Sequence, residues 1–199
     1  MYNIIIFKLS IFLLYIIYNK MEFWKKLKID NNIIHISIII YTKINNNIHI
    51  LVGKEFNNKP NKTDVGLYSE FSDNFISNDE SIVDAISRIL FEKTMNMIID
   101  YDEFKKLIFD RKIKYKISNK RIIFIYEISY DQHKYLTDYY NRVFEYLNLC
   151  RTTNSLNNLV IETCPFNFFD KSELKWVNYE FINNNIKLFK QLFIKNIMA

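Results

Sequence analysis

Glycine, proline and cysteine are nearly missing from this chain of 199 residues, which has two of each. So little Gly and Pro excludes a collagen-like repeat and Gly- or Pro-rich linkers. It also leaves the positive-φ positions of turns to Asn and Asp. Cys150 and Cys164 stand without a CxxC motif or a nearby histidine pair, which argues against a disulfide framework and a zinc site and reads as buried or idle thiols. His35, His49 and His133 are scattered and read as packed or surface residues before ligands or bases. No internal repeat is present.

What is abundant is Asn, Ile, Lys, Tyr and Phe, five residues that share AT-rich codons. With 49% hydrophobic, 17% aromatic and 25% charged residues, the chain can bury a sizeable core as one domain. The 27 Lys and Arg against 22 Asp and Glu give +5. That balance suits a phosphate-bearing partner, and codon-driven lysine enrichment produces the same number, so both readings stand.

Residues Ile4 to Tyr18 form an apolar run broken by Lys8 and Ser10. It is shorter than the roughly 20 residues of a membrane-spanning helix, and it lacks the basic start and small-residue cleavage site of a signal peptide. Residues 1–20 therefore read as an upstream extension before Met21 or as a membrane anchor. The first implies a cytoplasmic chain from Met21, the second a membrane-associated one, and residues 21–199 form the single domain in either case.

Further along, Ile33–Tyr41 and Ile48–Gly53 predict a hairpin turning at Asn45-Asn46-Asn47, followed by a loop over 57–64 and a short strand over 67–71. Ser77 and Glu80 have capping-box spacing, and Ile82, Val83, Ile86, Ile89 and Leu90 predict a helix starting near Asp79. Asp84, Arg88 and Glu92 line its charged side as a solvated salt-bridge ladder. A helix over Tyr101–Phe109, a hairpin of Lys112–Ile117 with Arg121–Ile128 and a helix over Asp131–Cys150 come next. An irregular stretch over 152–169, a strand over Ser172–Val177 and one amphipathic helix over Tyr179–Ile197 complete the chain. This order predicts an α+β fold of the α/β/α sandwich type, a mixed sheet flanked by helices with an extra C-terminal helix.

Residues Glu70 to Met97 read EFSDNFISNDESIVDAISRILFEKTMNM, and this segment resembles the signature of the Nudix hydrolases, G-x5-E-x7-R-E-U-x-E-E-x-G-U. The spacing over 74–96 fits without a gap. Asn74 falls on the first glycine, Glu80 on the first glutamate, Arg88 on the arginine, Leu90 on the apolar position and Glu92 on one glutamate of the final pair. Ile89, Lys93 and Met95 depart from the pattern, standing at a glutamate, the last glutamate and the second glycine. Leu174-Lys175-Trp176-Val177 resembles the late Trp-Val strand of the family. The whole is most similar to divergent members from AT-rich large DNA viruses, some of which resemble mRNA-decapping enzymes.

The resemblance implies a Nudix-like fold and hydrolysis of a nucleoside diphosphate-linked substrate or capped RNA, with Mg²⁺ or Mn²⁺ held by helix carboxylates. It makes Glu92 the catalytic and metal-binding residue and gives Asn74, Glu80 and Arg88 structural roles. A hard cation needs several oxygen ligands, and Ile89 and Lys93 offer none. Asp84, Glu127 and Asp131 are conceivable substitutes. The alternative is a catalytically inactive Nudix-fold protein, a pseudoenzyme that binds nucleotide or RNA, with Tyr126, Tyr130, Tyr135, Tyr139 and Tyr140 as stacking candidates or as core. A third reading is a membrane-tethered interaction protein held through residues 4–18.

Overall fold

A computed structural model describes residues 16, 18–56, 64–77, 80–153, 168 and 170–198, with the Thr153 side chain left aside. The loop over 57–63, most of the apolar leader, most of the irregular stretch over 152–169 and Cys164 lie outside the described residues. Among the described residues no helix is long and apolar enough to cross a membrane.

The described residues build seven strands: β1 (His35–Ile44), β2 (Asn47–Glu55), β3 (Tyr68–Ser69), β4 (Phe71–Asn74), β5 (Lys114–Ser118), β6 (Arg121–Glu127) and β7 (Lys171–Asn178). They form one sheet in the order β3-β2-β1-β6-β5, with β4 added to β1 and β7 to β2. The parallel pair is β1 with β6, in register from His35 opposite Arg121 to Tyr41 opposite Glu127. On its other edge β1 pairs first with β4, His35 to Ile38 against Asn74 to Phe71, and then with β2. The β1–β2 hairpin turns at Asn45 and Asn46, both at positive φ (49 and 64), as a two-residue turn of matching twist requires. Asn32, Asn96 and Asn119 also take positive φ, yet so do Met95, Arg111 and Lys120, which the scarcity of glycine did not foretell.

Helices cover both faces. Even-numbered Ile36, Ile38 and Ile40 of β1 point to one side. There they pack with Trp24 of α1 (residues 18–30), Ile82, Ile86 and Ile89 of α2 (Ile82–Thr94), Phe104 of α3 (Tyr101–Phe109) and Tyr140 and Phe144 of α5 (Leu136–Thr153). On the opposite side Val52, Tyr68 and Val177 pack with Ile182 of α6 (Tyr179–Asn184), Phe189, and Phe193 of α7 (Gln191–Met198). The result is the mixed-sheet α+β sandwich that the element order implies.

Four element readings need correction, the first being the short strand over 67–71, which is two strands, β3 and β4, parted at Glu70, the second running on to Asn74. The helix predicted from Asp79 begins at Ile82, because Ser81 is the N-cap, its Oγ accepting from Asp84 N at 3.1 Å. Asp131–Cys150 is two helices, α4 (Tyr130–His133) and α5, interrupted at Lys134-Tyr135. The single helix over Tyr179–Ile197 is also broken, into α6, a 3₁₀ turn (Ile186–Leu188) and α7. Asn183, Asn184 and Asn185 favour local hydrogen bonds over helix, and Asn185 Nδ2 donates to Phe181 O at 2.9 Å. Phe189 then runs extended as a parallel bridge partner of Tyr68. At the other end of the chain, residues 18–20 continue into 21–30 without a break, and Lys20 pairs with Asp110 at 2.5 Å.

Candidate functional site

The signature-like segment occupies β4, the loop after it and α2, so its charged residues converge where β4 ends. Arg88, on the second turn of α2, gathers them. Its Nε donates to Glu80 Oε1 at 2.8 Å, one terminal nitrogen to the Asn74 carbonyl at 3.2 Å and the other to Glu92 Oε2 at 3.3 Å. Glu80 Oε2 accepts from Ile76 N at 2.8 Å, so the Glu80–Arg88 pair joins loop to helix. Burial opposes the charge on Arg88, but the hydrogen bond and proximity of Glu80, with Glu92 and Asp73 beyond, hold its pKa above the ordinary value. Asn74, Glu80, Arg88 and Glu92 are thus brought together. Asn74 lies in extended backbone, where its Oδ1 faces His35 Nδ1 at 2.8 Å.

Asp84 does not join the group. It pairs with Lys105 of α3 at 2.6 Å, so the helix side expected as a ladder divides. Nor is the remainder solvated, since the Arg88, Glu80 and Glu92 side chains are each 12–14% exposed. Glu127 is bound to Lys43 and Tyr41 six residues along the sheet from Arg121, with Asp131 beside it, and neither approaches Glu92. Of the tyrosines, Tyr140 is buried and donates to the Lys171 carbonyl at 2.9 Å, while Tyr126 packs on Phe104. Tyr135 and Tyr139 are exposed. His49 and His133 bond only to backbone carbonyls, and Cys150 is buried.

Lys93 occupies the position of the last signature glutamate and is 4% exposed. Its ammonium hydrogen-bonds Asp170 and lies 3.5 Å from Asp73 Oδ2. Burial lowers its pKa to about 8 against the pull of Asp73, Glu92 and Glu55, with Lys171 adding to the depression. A second buried cation follows: Lys171 bonds Glu55 Oε1 at 2.5 Å, Ser69 Oγ at 2.8 Å and the Glu70 carbonyl at 3.3 Å. Burial raises the Glu55 carboxyl, but Lys171 and Lys190 overcome that and hold it far below the carboxylate range. The sequence shows both lysines but gives no sign of their partners, because Asp73, Asp170 and Glu55 come from separate strands and loops.

These residues do not fit a divalent cation. Mg²⁺ or Mn²⁺ needs near-octahedral oxygen ligands, whereas Asp73, Glu80, Glu92 and Asp170 already face Arg88 or Lys93. Among the described residues no three His, Cys, Asp or Glu side chains are placed to hold a metal. Glu92 shares the Arg88 guanidinium with Glu80. Met95, which aligns with the second glycine of that signature, ends α2 in the left-handed conformation at φ 53 and ψ 36, a backbone that glycine adopts most readily.

Neither a family model nor a curated protein sequence matches the chain. Among solved structures, the fold is similar to the Nudix domain of Shewanella oneidensis NrtR complexed with ADP ribose, at 13% identity and TM-score 0.42, covering 83% of this chain and 84% of that one. It is also similar to a mutT/nudix family protein from Listeria innocua, at 13% identity and TM-score 0.43 over 82% of this chain and 87% of that one. The Ap4A hydrolase of C. elegans is similar at 7% identity and TM-score 0.39, over 83% of this chain and 93% of that one.

Proposed function

We propose that this chain is a Nudix-like protein that binds a nucleotide or RNA without hydrolysing it, its signature helix carrying a lysine in the place of a metal ion. One observation carries the reading: the Lys93 ammonium sits between Asp170 and Asp73, one residue from Glu92. A cation built into the chain neutralises the carboxylates that would otherwise attract Mg²⁺. It cannot polarise a bound water as a metal does, since an ammonium is a donor with no open coordination position. No general base stands at Ile89 either, because an alkyl side chain accepts no proton. The net charge of +5 favours a phosphate-bearing ligand over a neutral one.

The test is turnover by the purified protein with Mg²⁺ or Mn²⁺ against capped RNA and a panel of nucleoside diphosphate derivatives, with Glu92→Gln alongside. Binding of nucleotide or RNA that weakens with salt, without product, is the expected outcome. Metal-dependent product that disappears in Glu92→Gln would overturn the reading and return the chain to the hydrolases.

A further inference from the structure

On the sheet face away from α2, a half-open cleft of about 680 Å³ runs between the strand ends and the segment from Ile186 to Phe193. This volume suits a small organic ligand. Its lining carries polar groups whose bonding is incomplete. Glu70 is 3% exposed, and its Oε1 accepts from both Arg121 at 3.2 Å and Asn196 at 3.0 Å. Its second oxygen has no partner among the described residues. Arg121, 9% exposed, spends one N–H on Glu70, and its other guanidinium N–H groups have no protein acceptor among the described residues. The open carboxylate oxygen and guanidinium N–H groups are free to bond a ligand that enters the cleft.

His35 stands beside this pair. It is the register partner of Arg121 across the β1–β6 pair. Its Nδ1 faces Asn74 Oδ1, an acceptor, so Nδ1 carries the proton and Nε2 the lone pair of the neutral ring. Burial favours that neutral form, against the hydrogen bond to Asn74. Nε2 is buried and unpartnered, and so is the Oγ of Ser37, two residues on along the same strand face and opposite Ser72, which lines the cleft. The wall facing these groups is apolar, with Leu67, Phe189, Leu192 and Phe193.

The complement of this surface is a flat apolar ring whose edge sets an N–H donor beside an acceptor. We propose that the cleft holds the base of a nucleotide bearing an exocyclic amino group. The amine donates to Glu70 Oε2, the adjacent ring nitrogen accepts from Arg121, and the ring lies against the exposed side chains of Ile186 and Leu192. Lys187, exposed at the rim, is placed for the phosphate. This rests on the nucleotide-binding reading above and gives that reading a location and a base preference. A free nucleotide and a base within a strand offer the same chemistry.

Isothermal titration of the full chain with two matched pairs tests it, AMP against IMP and CMP against UMP, each pair exchanging the amine and ring acceptor for an oxo group and N–H. The amino member of each pair is expected to bind about tenfold or more tightly, the cost of a lost hydrogen bond to a buried charged partner. Ser72→Phe puts a bulky ring into the cleft lining and is expected to abolish that binding, with a cooperative unfolding transition confirming that the variant folds. Glu70→Gln, which turns an acceptor into a donor, is expected to erase the preference. A short adenine oligomer that outbinds AMP at the same cleft assigns the base to RNA, and equal affinity assigns it to a free nucleotide. Equal affinities within both pairs, or binding that survives Ser72→Phe, would overturn the cleft assignment while leaving nucleotide binding in place. No binding of any nucleotide would sink both.

Discussion

Lys93 allows a test of the built-in cation by titration. Its pKa is lowered by burial from the ordinary 10.5 to about 8. In the unfolded chain the ammonium keeps its proton to about pH 10.5, so between pH 8 and 10.5 the unfolded state binds more protons than the folded one. Stability therefore rises with pH in that window. The charged form costs the fold about 3 kcal/mol below pH 8, and by pH 9.5 about 2 kcal/mol of this is recovered relative to pH 7. The groups facing Lys93 are Asp73 from β4, Asp170 before β7, Glu92 on α2, and the Lys171–Glu55 pair.

The assay is urea unfolding of the protein and of Lys93→Met at pH 7 and 9.5. Met keeps the length of the stem and removes the charge. At pH 7 two effects oppose: relief of the buried ammonium, and loss of the partner of Asp170, which is 14% exposed and worth roughly 1–3 kcal/mol when left unpaired. The two proteins should then lie within about 2 kcal/mol of each other. Raising the pH to 9.5 should move them apart by about 2 kcal/mol in favour of the parent. Tyr68, pushed up to about 12 mainly by burial, titrates alike in both and cancels. Lys171 is itself lowered by burial, against the pull of Glu55, and this holds in both proteins. A flat difference from pH 7 to 9.5 would refute a desolvated ammonium, and a falling one would mean that the acids raise its pKa.

Other perturbations follow from single contacts. Gly53→Ala places a Cβ 2.7 Å from Lys171 Cδ and 2.9 Å from its Cγ, and Lys171 is fixed by Glu55 and Ser69. Thermal unfolding should show a loss of about 1–3 kcal/mol, and a neutral result would mean the lysine stem moves freely. Restoring the signature glycine with Met95→Gly relieves about 1–2 kcal/mol of left-handed backbone but removes a buried side chain worth about 2–5 kcal/mol. The variant should therefore be less stable in denaturant melts, and a gain would mean that Met95 contributes little packing. Ser81→Ala deletes the α2 cap and should cost about 1 kcal/mol by the same measurement.

How much of this was legible in the chain depends on the distance over which each interaction acts. Both hairpins could be read because β-branched runs and Asn turns are local signals, and Tyr101–Phe109 matched the observed helix because Asp100 caps it by donor–acceptor pairs two and three residues away. The signature spacing likewise brought Glu80, Arg88 and Glu92 to one place, since eight and four residues on a helix and its entry loop leave little freedom. The C-terminal segment was misread because its apolar period survives the Asn run, and only the Tyr68–Phe189 bridge, across the sheet, shows where helix gives way to extended chain.

The cations were visible in sequence, their counter-charges were not. Lys93 is adjacent to Glu92, but what makes it a buried ammonium is Asp170, 77 residues away, and Lys171 meets Glu55 across 116. Local pattern assigns a lysine on a helix to the solvated side, as it did for Asp84, Arg88 and Glu92. The fold reverses that assignment by closing β4, β7 and α2 around it. Without an ammonium at residue 93, Asp73, Glu92 and Asp170 would form a carboxylate cluster able to attract a metal from solution. The Lys93 ammonium, bonded to Asp170 and close to Asp73, fills that space, and for that reason the chemistry of this helix is decided by Asp73 and Asp170 as much as by Lys93 itself.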